Sequence, residues 1–363
     1  MGETKEYITY NVIDSIKGGC GKTTLAIILT EYLERYSAGV CGHACLLDMD
    51  FLGTGLVNLF VGAGGKEKLG DGCIYVTEKI RGYHADNKRY IIPMTIGNRD
   101  NQKILYVGFS DPDYRTKGEY RTSSKSNYSQ ALQYGTFRAG IKNVLEINNL
   151  NSQINGKVGS VILDMSPSVD TYSESVKDNL FDRKYSNYIK KDDKRNYFLL
   201  VGMDLSHIHA AVKYLKDFID NNEKFADNIF IVFNDIMHVI DVNPSAADEY
   251  NMRRNLFEQA LEKEPQKVKE KIHFLALNPY RKYQETVYGM HPLCEEKTSD
   301  IFSDIPTPFA FAGKYGNEMK EIDTYKKTDK SSGADAESEG EADSTEKIKE
   351  GEVFKWLMGK DIS

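Results

Sequence analysis

The segment IKGGCGKTT, residues 16–24, decides the fold, because it lies between a stretch that favours a β-strand and a stretch that favours an α-helix. Residues 7–15 (YITYNVIDS) are rich in aromatic and β-branched side chains, which is typical of a strand. Residues 23–36 place large apolar side chains at helical spacing. A glycine-rich turn between a strand and a helix predicts a phosphate-binding loop.

The residue types in this loop suit an anionic ligand. Glycines let successive backbone N–H groups curl around phosphate oxygens, and the start of the following helix adds a partial positive charge. The Lys22 ammonium can reach the β- and γ-phosphates, and the Thr23 hydroxyl can ligate Mg²⁺. We therefore predict ATP and Mg²⁺ as ligands. The nucleotide-binding residues would be Gly18, Gly19, Cys20, Gly21, Lys22, Thr23 and Thr24.

The loop departs from the common phosphate-loop pattern in one respect. Ile16 occupies the position where that pattern has its first glycine, and a second lysine, Lys17, follows it. The resulting K-G-G-x-G-K-T-T resembles the deviant phosphate loop of the ParA/MinD family of ATPases. The resemblance implies that Lys17 reaches across a dimer interface to the partner's nucleotide, so we expect a homodimer with ATP and catalytic roles for Lys17 and Lys22.

Three aspartates follow two further buried strands. Asp48 and Asp50 come after residues 44–47 (ACLL), and Asp164 comes after residues 158–163 (VGSVIL). The carboxyl ends of parallel strands form the edge where open α/β folds bind ligands. The resemblance implies that Asp50 positions the attacking water as a catalytic residue. It also implies that Asp48 and Asp164, with Thr23, serve the metal, the two carboxylates acting through water.

Strands and helices alternate along the rest of the chain. Such alternation predicts an α/β fold with a mostly parallel sheet and helices on both faces. Strands are predicted at 90–96, 103–109, 197–202, 228–233 and 271–277, and helices at 137–147, 206–220, 246–263 and 281–288. We predict one ATPase domain over residues 1–327 that contains an enlarged polar insert at about 61–136.

The resemblance reaches the far end of this domain. Asn234 ends a buried strand and matches the asparagine that recognises the adenine base in the family. Asn278 and Pro279 match its base-proximal loop. We therefore expect Asn234, Asn278 and Pro279 to lie on the base side of the nucleotide.

Composition narrows the class of protein. The chain of 363 residues has 40% apolar residues, a net charge of −7 and no apolar run of 18 residues, so we expect no membrane-spanning helix. Its five cysteines form no disulfide framework, and its first residues lack a signal-peptide pattern. We therefore expect a cytoplasmic protein, associated with the nucleoid or peripherally with the membrane.

The end of the chain changes in character. Residues 328–350 lack aromatic side chains and are strongly acidic, which predicts a disordered linker. Residues 351–363 include Phe354, Trp356, Leu357 and Met358, so they are expected to form a short amphipathic segment. This segment would bind a groove on a partner protein, touch a membrane or pack back on the domain.

The resemblance to the ParA/MinD family implies an ATP-dependent dimerisation switch with slow, partner-stimulated Mg-ATP hydrolysis. It would position or partition DNA or another cargo together with an adaptor, ParB-like or other. Basic residues around 253–282 and in the polar insert offer a nonspecific DNA surface, although acidic residues are interleaved with the first group. The alternatives are a nucleotide-locked interaction protein, for example in a defence or secretion assembly, and a MinD-like membrane-associated ATPase.

Overall fold

A computed structural model describes most of the domain. The described residues are 7–37, 41–51, 55–62, 69–70, 72–82, 88–96, 103–112, 127–167, 171–202, 204–221, 224–234, 246–277, 309–312 and 319–320. The predicted helix at 281–288, the linker at 328–350 and the segment at 351–363 lie outside them. No helix among the described residues is long and apolar enough to cross a membrane.

The described residues form strands and helices in alternation over most of their length. The strands are β1 Thr9–Asp14, β2 His43–Met49, β3 Ile92–Ile96, β4 Lys103–Gly108, β5 Val158–Met165, β6 Lys194–Val201, β7 Asn228–Phe233, β8 Ile272–Leu277, β9 Phe309–Ala312 and β10 Met319–Lys320. The helices are α1 Lys22–Ser37, α2 Gly55–Val61, α3 Val76–Ile80, α4 Asn127–Leu145, α5 Ile147–Gln153, α6 Thr171–Phe181, α7 Leu205–Asp220, α8 Ala246–Ala260 and α9 Gln266–Lys269.

All the described strands join one sheet, in the order β10-β9-β8-β7-β6-β1-β5-β2-β4-β3. The strands from β4 to β8 in this order are parallel, and only β3, β9 and β10 pair in the antiparallel sense. β1 is central, between β5 and β6. Successive strands therefore end at one edge, and the loop after β1 lies in the middle of that edge.

Helices cover both faces of the sheet. One core packs β-strand side chains against α4, α6, α7 and α8, with Ile141, Val176 and Leu215 among its fully buried members. The other packs the opposite face against α1 and α2, with Leu29 and Phe60 fully buried. Successive side chains of each strand contribute to the two cores in turn, because they point to opposite faces of the sheet. The predicted fold class is confirmed.

The predicted strands agree with the sheet to within a few residues, but several helices differ from the prediction. α4 begins at Asn127 and extends the helix predicted at 137–147 by ten residues toward the N-terminus. Five described helices, α2, α3, α5, α6 and α9, were not predicted. Both β3 and β4 lie within residues 61–136, and β4 pairs in parallel with β2, so this region contributes directly to the sheet.

Candidate functional site

The predicted phosphate loop connects β1 to α1 at the centre of the sheet edge. Gly19 and Gly21 have φ angles of +76° and +86°, which L-residues with a side chain rarely adopt. A Cβ atom on Gly21 would also lie 2.8 Å from Nδ2 of Asn234. The backbone conformation therefore favours glycine at position 21, and a side chain there would also have to displace the Asn234 amide.

Lys22 is held beneath the loop. It is the first residue of α1, only 6% of its surface is exposed, and its Nζ donates to Oγ of Ser15 at 3.1 Å. Ser15 in turn donates to the backbone oxygen of Lys17 at 2.7 Å. A neutral hydroxyl is a weaker acceptor for an ammonium group than a phosphate oxygen. Lys22 is thus preorganised near the loop by a contact that an anion can replace.

Lys17 has a different environment. Its side chain is 61% exposed and forms an ion pair with Asp204, with 3.2 Å between Nζ and Oδ2. Asp204 also caps α7 by accepting the Ser206 N–H at 2.9 Å. The hydrogen bonds from Ser206 and Lys17 lower the pKa of Asp204. The two lysines of the loop are therefore distinct, one buried beneath it and one exposed beside it.

Two of the predicted carboxylates lie side by side in the sheet. Asp48 of β2 and Asp164 of β5 are register partners, and both are buried. Burial and the nearby Asp164 carboxylate raise the pKa of Asp48 well above its usual value. Burial raises the pKa of Asp164 to about 7, although the Thr23 hydroxyl hydrogen-bonds to this carboxylate and Lys22 is nearby. This pair needs a compensating positive charge.

Asp50 lies beside this pair, in a loop after β2. Its Oδ1 accepts the Ser166 hydroxyl at 3.0 Å, and its backbone N–H donates to Oδ1 of Asp48 at 3.0 Å. Ser110, after β4, donates to the backbone oxygen of Asp50 at 3.2 Å. Loops after three parallel strands therefore fix the position of the Asp50 carboxylate.

The donor set fits Mg²⁺. Oδ1 of Asp164 is buried without a hydrogen-bond partner, and Thr23 adds a hydroxyl to the two carboxylates. Hard oxygen ligands are those that Mg²⁺ prefers, and it usually keeps several waters. Within the described residues no group of three or more His, Cys, Asp or Glu side chains forms a metal cage. An ion held near Asp48, Asp164 and Thr23 would therefore take its remaining ligands from phosphate and water.

The predicted base-side residues are only partly described. Asn234 follows β7, and its Nδ2 donates to the backbone oxygen of Cys20 at 3.0 Å. It thus contacts the phosphate loop itself, and this contact helps to hold the loop in place. Asn278 and Pro279 lie outside the described residues.

Cys20 contacts a residue that the sequence did not indicate. Its Sγ lies 3.5 Å from Nδ1 of His207 on α7, and the same Nδ1 accepts the Gly202 N–H at 3.1 Å. Burial raises the pKa of the Cys20 thiol, and burial together with Lys17 lowers the pKa of His207. Both groups are therefore neutral near pH 7, and the thiol serves as packing between the loop and α7.

Three other site residues were missed from the sequence. Ser15 accepts a hydrogen bond from the Lys22 ammonium, and Asp204 accepts one from the Lys17 ammonium. Ser110 donates a hydrogen bond to the backbone oxygen of Asp50. Ser110 follows β4 just as Asp48 and Asp164 end their strands, so the same rule of a polar residue at a strand end could have found it. Asp204 could have been found as the N-cap that precedes a helical period.

The basic cluster predicted near residues 253–282 needs a correction. Arg253 is buried and does not belong to an exposed surface. Arg254 donates to Glu258 at 3.0 Å, and Lys271 donates to the backbone oxygen of Ala226 at 3.0 Å. Arg253 lies on the buried face of α8, and a count of charges along the sequence does not show which face of a helix a residue occupies. Arg281 and Lys282 lie outside the described residues.

Comparisons with known proteins find similarity only at the level of structure. No protein-family model matches the chain, and no curated protein matches it. A putative plasmid partition protein from Borrelia burgdorferi bound to AMPPNP is 16% identical, with a TM-score of 0.45 over 82% of this chain and 98% of that chain. A McdA–ATP complex from Cyanothece is 12% identical, with a TM-score of 0.47 over 82% of this chain and 94% of that chain.

A third solved structure, the cell division ATPase MinD from Pyrococcus furiosus, is 13% identical, with a TM-score of 0.45 over 81% of this chain and 94% of that chain. The parallel sheet of this chain, with a glycine-rich loop between its central strand and α1, has the P-loop NTPase architecture independently of these likenesses. The chain is an α/β P-loop protein whose fold is similar to that of ParA and MinD ATPases.

Proposed function

We propose that this protein is an ATPase switch in which binding of Mg-ATP drives formation of a homodimer. The observation that carries the proposal is the contrast between the two lysines of the loop. Lys22 is buried against Ser15 and would serve the nucleotide of its own subunit. Lys17 is exposed and belongs to the K-G-G-x-G-K-T-T pattern that resembles the ParA/MinD family.

Nucleotide binding follows from the loop and the helix behind it. Backbone N–H groups of Gly18 to Gly21 and the start of the 16-residue helix α1 would surround the phosphates. Lys22 would leave Ser15 for a phosphate oxygen. Mg²⁺ bound near Thr23, Asp48 and Asp164 would neutralise phosphate charge. The unpartnered oxygen of Asp164 supports this role, because a buried carboxylate gains most from a cation.

Hydrolysis would depend on positioning. Phosphoryl transfer requires an aligned water and charge neutralisation more than covalent help from the protein. Asp50 would hold the attacking water, because Ser166 and the loop backbone fix its carboxylate beside the Mg²⁺ residues. Turnover would be slow without a partner.

Lys17 would link the nucleotide to self-association. Its ion pair with Asp204 is exposed on both sides, and such pairs contribute little to stability because solvent screens the two charges. An exposed ammonium bound this weakly can transfer to a phosphate of the partner subunit at little cost. Hydrolysis would remove the charge that attracts it, so the dimer would separate.

The ATP-bound dimer would attach to DNA without sequence preference. An adaptor protein would stimulate hydrolysis, and the switch would thereby position a cargo. A solved structure of pNOB8 ParA, which this chain resembles in fold, is bound to nonspecific DNA. A dimer doubles any basic surface of the monomer and so increases its affinity for a phosphate backbone. The protein would be cytoplasmic and associated with the nucleoid. Residues 351–363 would bind a partner groove or, in a MinD-like mode, a membrane.

One experiment separates these outputs. The full chain is tested for binding to a random-sequence duplex by fluorescence anisotropy, with Mg-ATP and with Mg-ADP, over a series of salt concentrations. ATP turnover is measured in parallel with and without the duplex. We expect binding only with ATP, weakening steeply with salt, and faster turnover when DNA is present.

The controls decide among the alternatives. Lys22→Ala should lose both DNA binding and turnover. A dimer that forms with ATP but neither hydrolyses it nor binds DNA would favour a nucleotide-locked interaction protein. Retention on anionic vesicles that is lost when residues 328–363 are removed would favour the membrane mode. Absence of ATP binding by the wild type would refute the proposal as a whole.

A further inference from the structure

A buried ion pair lies directly behind the phosphate loop. Asp14 is the last residue of β1, and its Oδ2 accepts Nζ of Lys177 on α6 at 3.0 Å. The Lys177 side chain is 1% exposed and the Asp14 side chain 2%. Charges buried this deeply are unfavourable unless they are paired and hydrogen-bonded. Well-packed apolar side chains of similar size would often stabilise the core equally well, so the pair raises the question of a role beyond core packing.

Every proton of the Lys177 ammonium has an acceptor. Besides Asp14, it contacts the Tyr214 hydroxyl at 2.6 Å and Oε1 of Glu174 at 2.5 Å. Burial by itself lowers the pKa of Lys177, but Asp14, Tyr214 and Glu174 outweigh it and raise the pKa above its usual value. Lys177 is therefore a fixed cation with a single geometry.

Hydrogen bonds connect Asp14 to the phosphate loop. Its Oδ2 also accepts the Tyr197 hydroxyl at 2.9 Å, and its Oδ1 accepts the backbone N–H of Ser15 at 2.8 Å. Ser15 then accepts the Lys22 ammonium through its own hydroxyl. A continuous chain of hydrogen bonds thus runs from Lys177 through Asp14 and Ser15 to Lys22.

The helix that carries Lys177 is itself held on its outer side. Lys224 pairs with Glu174 at 3.1 Å and with Asp178 at 3.2 Å, and Arg138 pairs with Asp178 at 2.8 Å. α6 begins shortly after β5, the strand that provides Asp164 and leads to Ser166. The pair between α6 and β1 therefore joins the phosphate side of the site to the metal side.

We propose that Asp14 and Lys177 are a positioning pair: Lys177 fixes the Asp14 carboxylate, which orients Ser15 so that the phosphate loop and Lys22 are arranged for a nucleotide. This inference rests on the proposed nucleotide-binding function. Neither residue touches the ligand, and both act through Ser15. The competing explanation is a pair that stabilises the fold without affecting the loop.

Two double variants separate these explanations. Asp14→Asn with Lys177→Met removes both charges but keeps an oxygen that can accept the Ser15 N–H. Asp14→Leu with Lys177→Met removes both charges and that acceptor as well. Glu174 and Tyr214 lose the same partner in both, so the two proteins differ only at position 14. Urea unfolding and Mg-ATP affinity, measured by calorimetry at a temperature where both are folded, are compared with the wild type.

We expect the single variant Lys177→Met to unfold at much lower urea concentration than the wild type, and the added Asp14→Asn to restore most of the loss. The Asn double variant keeps the acceptor but lacks the cation that fixes it, so it should bind Mg-ATP about threefold more weakly than the wild type. The Leu double variant should bind about tenfold more weakly, because one orienting hydrogen bond is lost.

Equal affinity of the two double variants would overturn the inference, since a purely structural pair affects only unfolding. Failure of Asp14→Asn to rescue Lys177→Met would also overturn it. A wild type that does not bind Mg-ATP would instead refute the proposed function, so the two failures are distinguishable.

Discussion

Replacing Asp164 by asparagine should stabilise the ligand-free protein while it weakens the response to Mg²⁺. Asp164 is fully buried beside Asp48, and its pKa is raised from 3.8 to about 7. At about 1.4 kcal/mol per pKa unit, ionised Asp164 costs the folded state up to about 4 kcal/mol near pH 8. The new amide leaves a buried donor without an acceptor at a cost of about 1–3 kcal/mol, so the net gain is about 1–3 kcal/mol.

The sign of the pH dependence follows from the raised pKa. The penalty is full where the carboxyl is ionised, above about pH 7, and it disappears as the pH falls toward the unfolded value near 4. Urea unfolding in EDTA at about pH 8 and about pH 5 measures the difference between Asp164→Asn and the wild type. The stability gain should shrink at the lower pH. Calorimetry with ATP should show that Mg²⁺ no longer strengthens binding to the variant.

Asp178→Asn is the matched control. Asp178 carries the same side chain but pairs with Arg138 and Lys224, so its replacement should lower stability. It should leave the effect of Mg²⁺ on ATP binding unchanged. An Asp164→Asn protein that is less stable than the wild type in EDTA, or that keeps the full Mg²⁺ effect, would refute the assignment of Asp164 to a metal site.

Three further predictions concern separate parts of the molecule. Lys22→Ala should weaken ATP binding by at least about a hundredfold, because charge-assisted bonds to phosphate are lost; micromolar binding in a filter assay would contradict this. Asp50→Ala should trap an ATP-bound dimer, so a monomer in gel filtration with ATP would contradict its role. His273, whose pKa burial lowers from 6.5 to about 4, should destabilise the fold as the pH falls through this range. Between about pH 7.5 and pH 4, the free energy of unfolding of the wild type should fall by about 3 kcal/mol more than that of His273→Gln. If the urea midpoints of the two proteins change equally between these pH values, His273 is solvated.

The sequence predicted the centre of the fold because the signals there are local. β1, the loop and α1 each have a clear period or composition within a few residues, and Asp48 and Asp164 could be placed by the rule for parallel strand ends. The fold class and the mostly parallel sheet followed from the alternation of predicted strands and helices along the chain. These inferences needed no knowledge of which residues meet across the sheet.

The parts that were missed depend on contacts between distant residues. β6 begins at Lys194, three residues earlier than predicted, because its polar start is buried: Arg195 stacks on Phe225, and Asn196 hydrogen-bonds to Asn11 and Asn228. α6 has a polar sequence, and its inward face holds the charge of Lys177. A buried polar group that is paired across strands leaves no apolar period for sequence patterns to detect.

Same-chain and cross-subunit roles of the two lysines can be tested separately. Lys17→Ala should bind ATP about as tightly as the wild type in monomeric form, because Lys17 contacts Asp204 and not the loop interior. Lys22→Ala should lose binding itself. Asp204→Asn, which removes the same-chain partner of Lys17, provides a control that keeps the lysine.

Sedimentation velocity with Mg-ATP tests the central claim most directly. We expect the wild type and Asp204→Asn to sediment as dimers and Lys17→Ala to remain monomeric while it retains bound nucleotide. A Lys17→Ala protein that dimerises with ATP as well as the wild type would show that self-association does not depend on this lysine, and the proposed switch would be wrong.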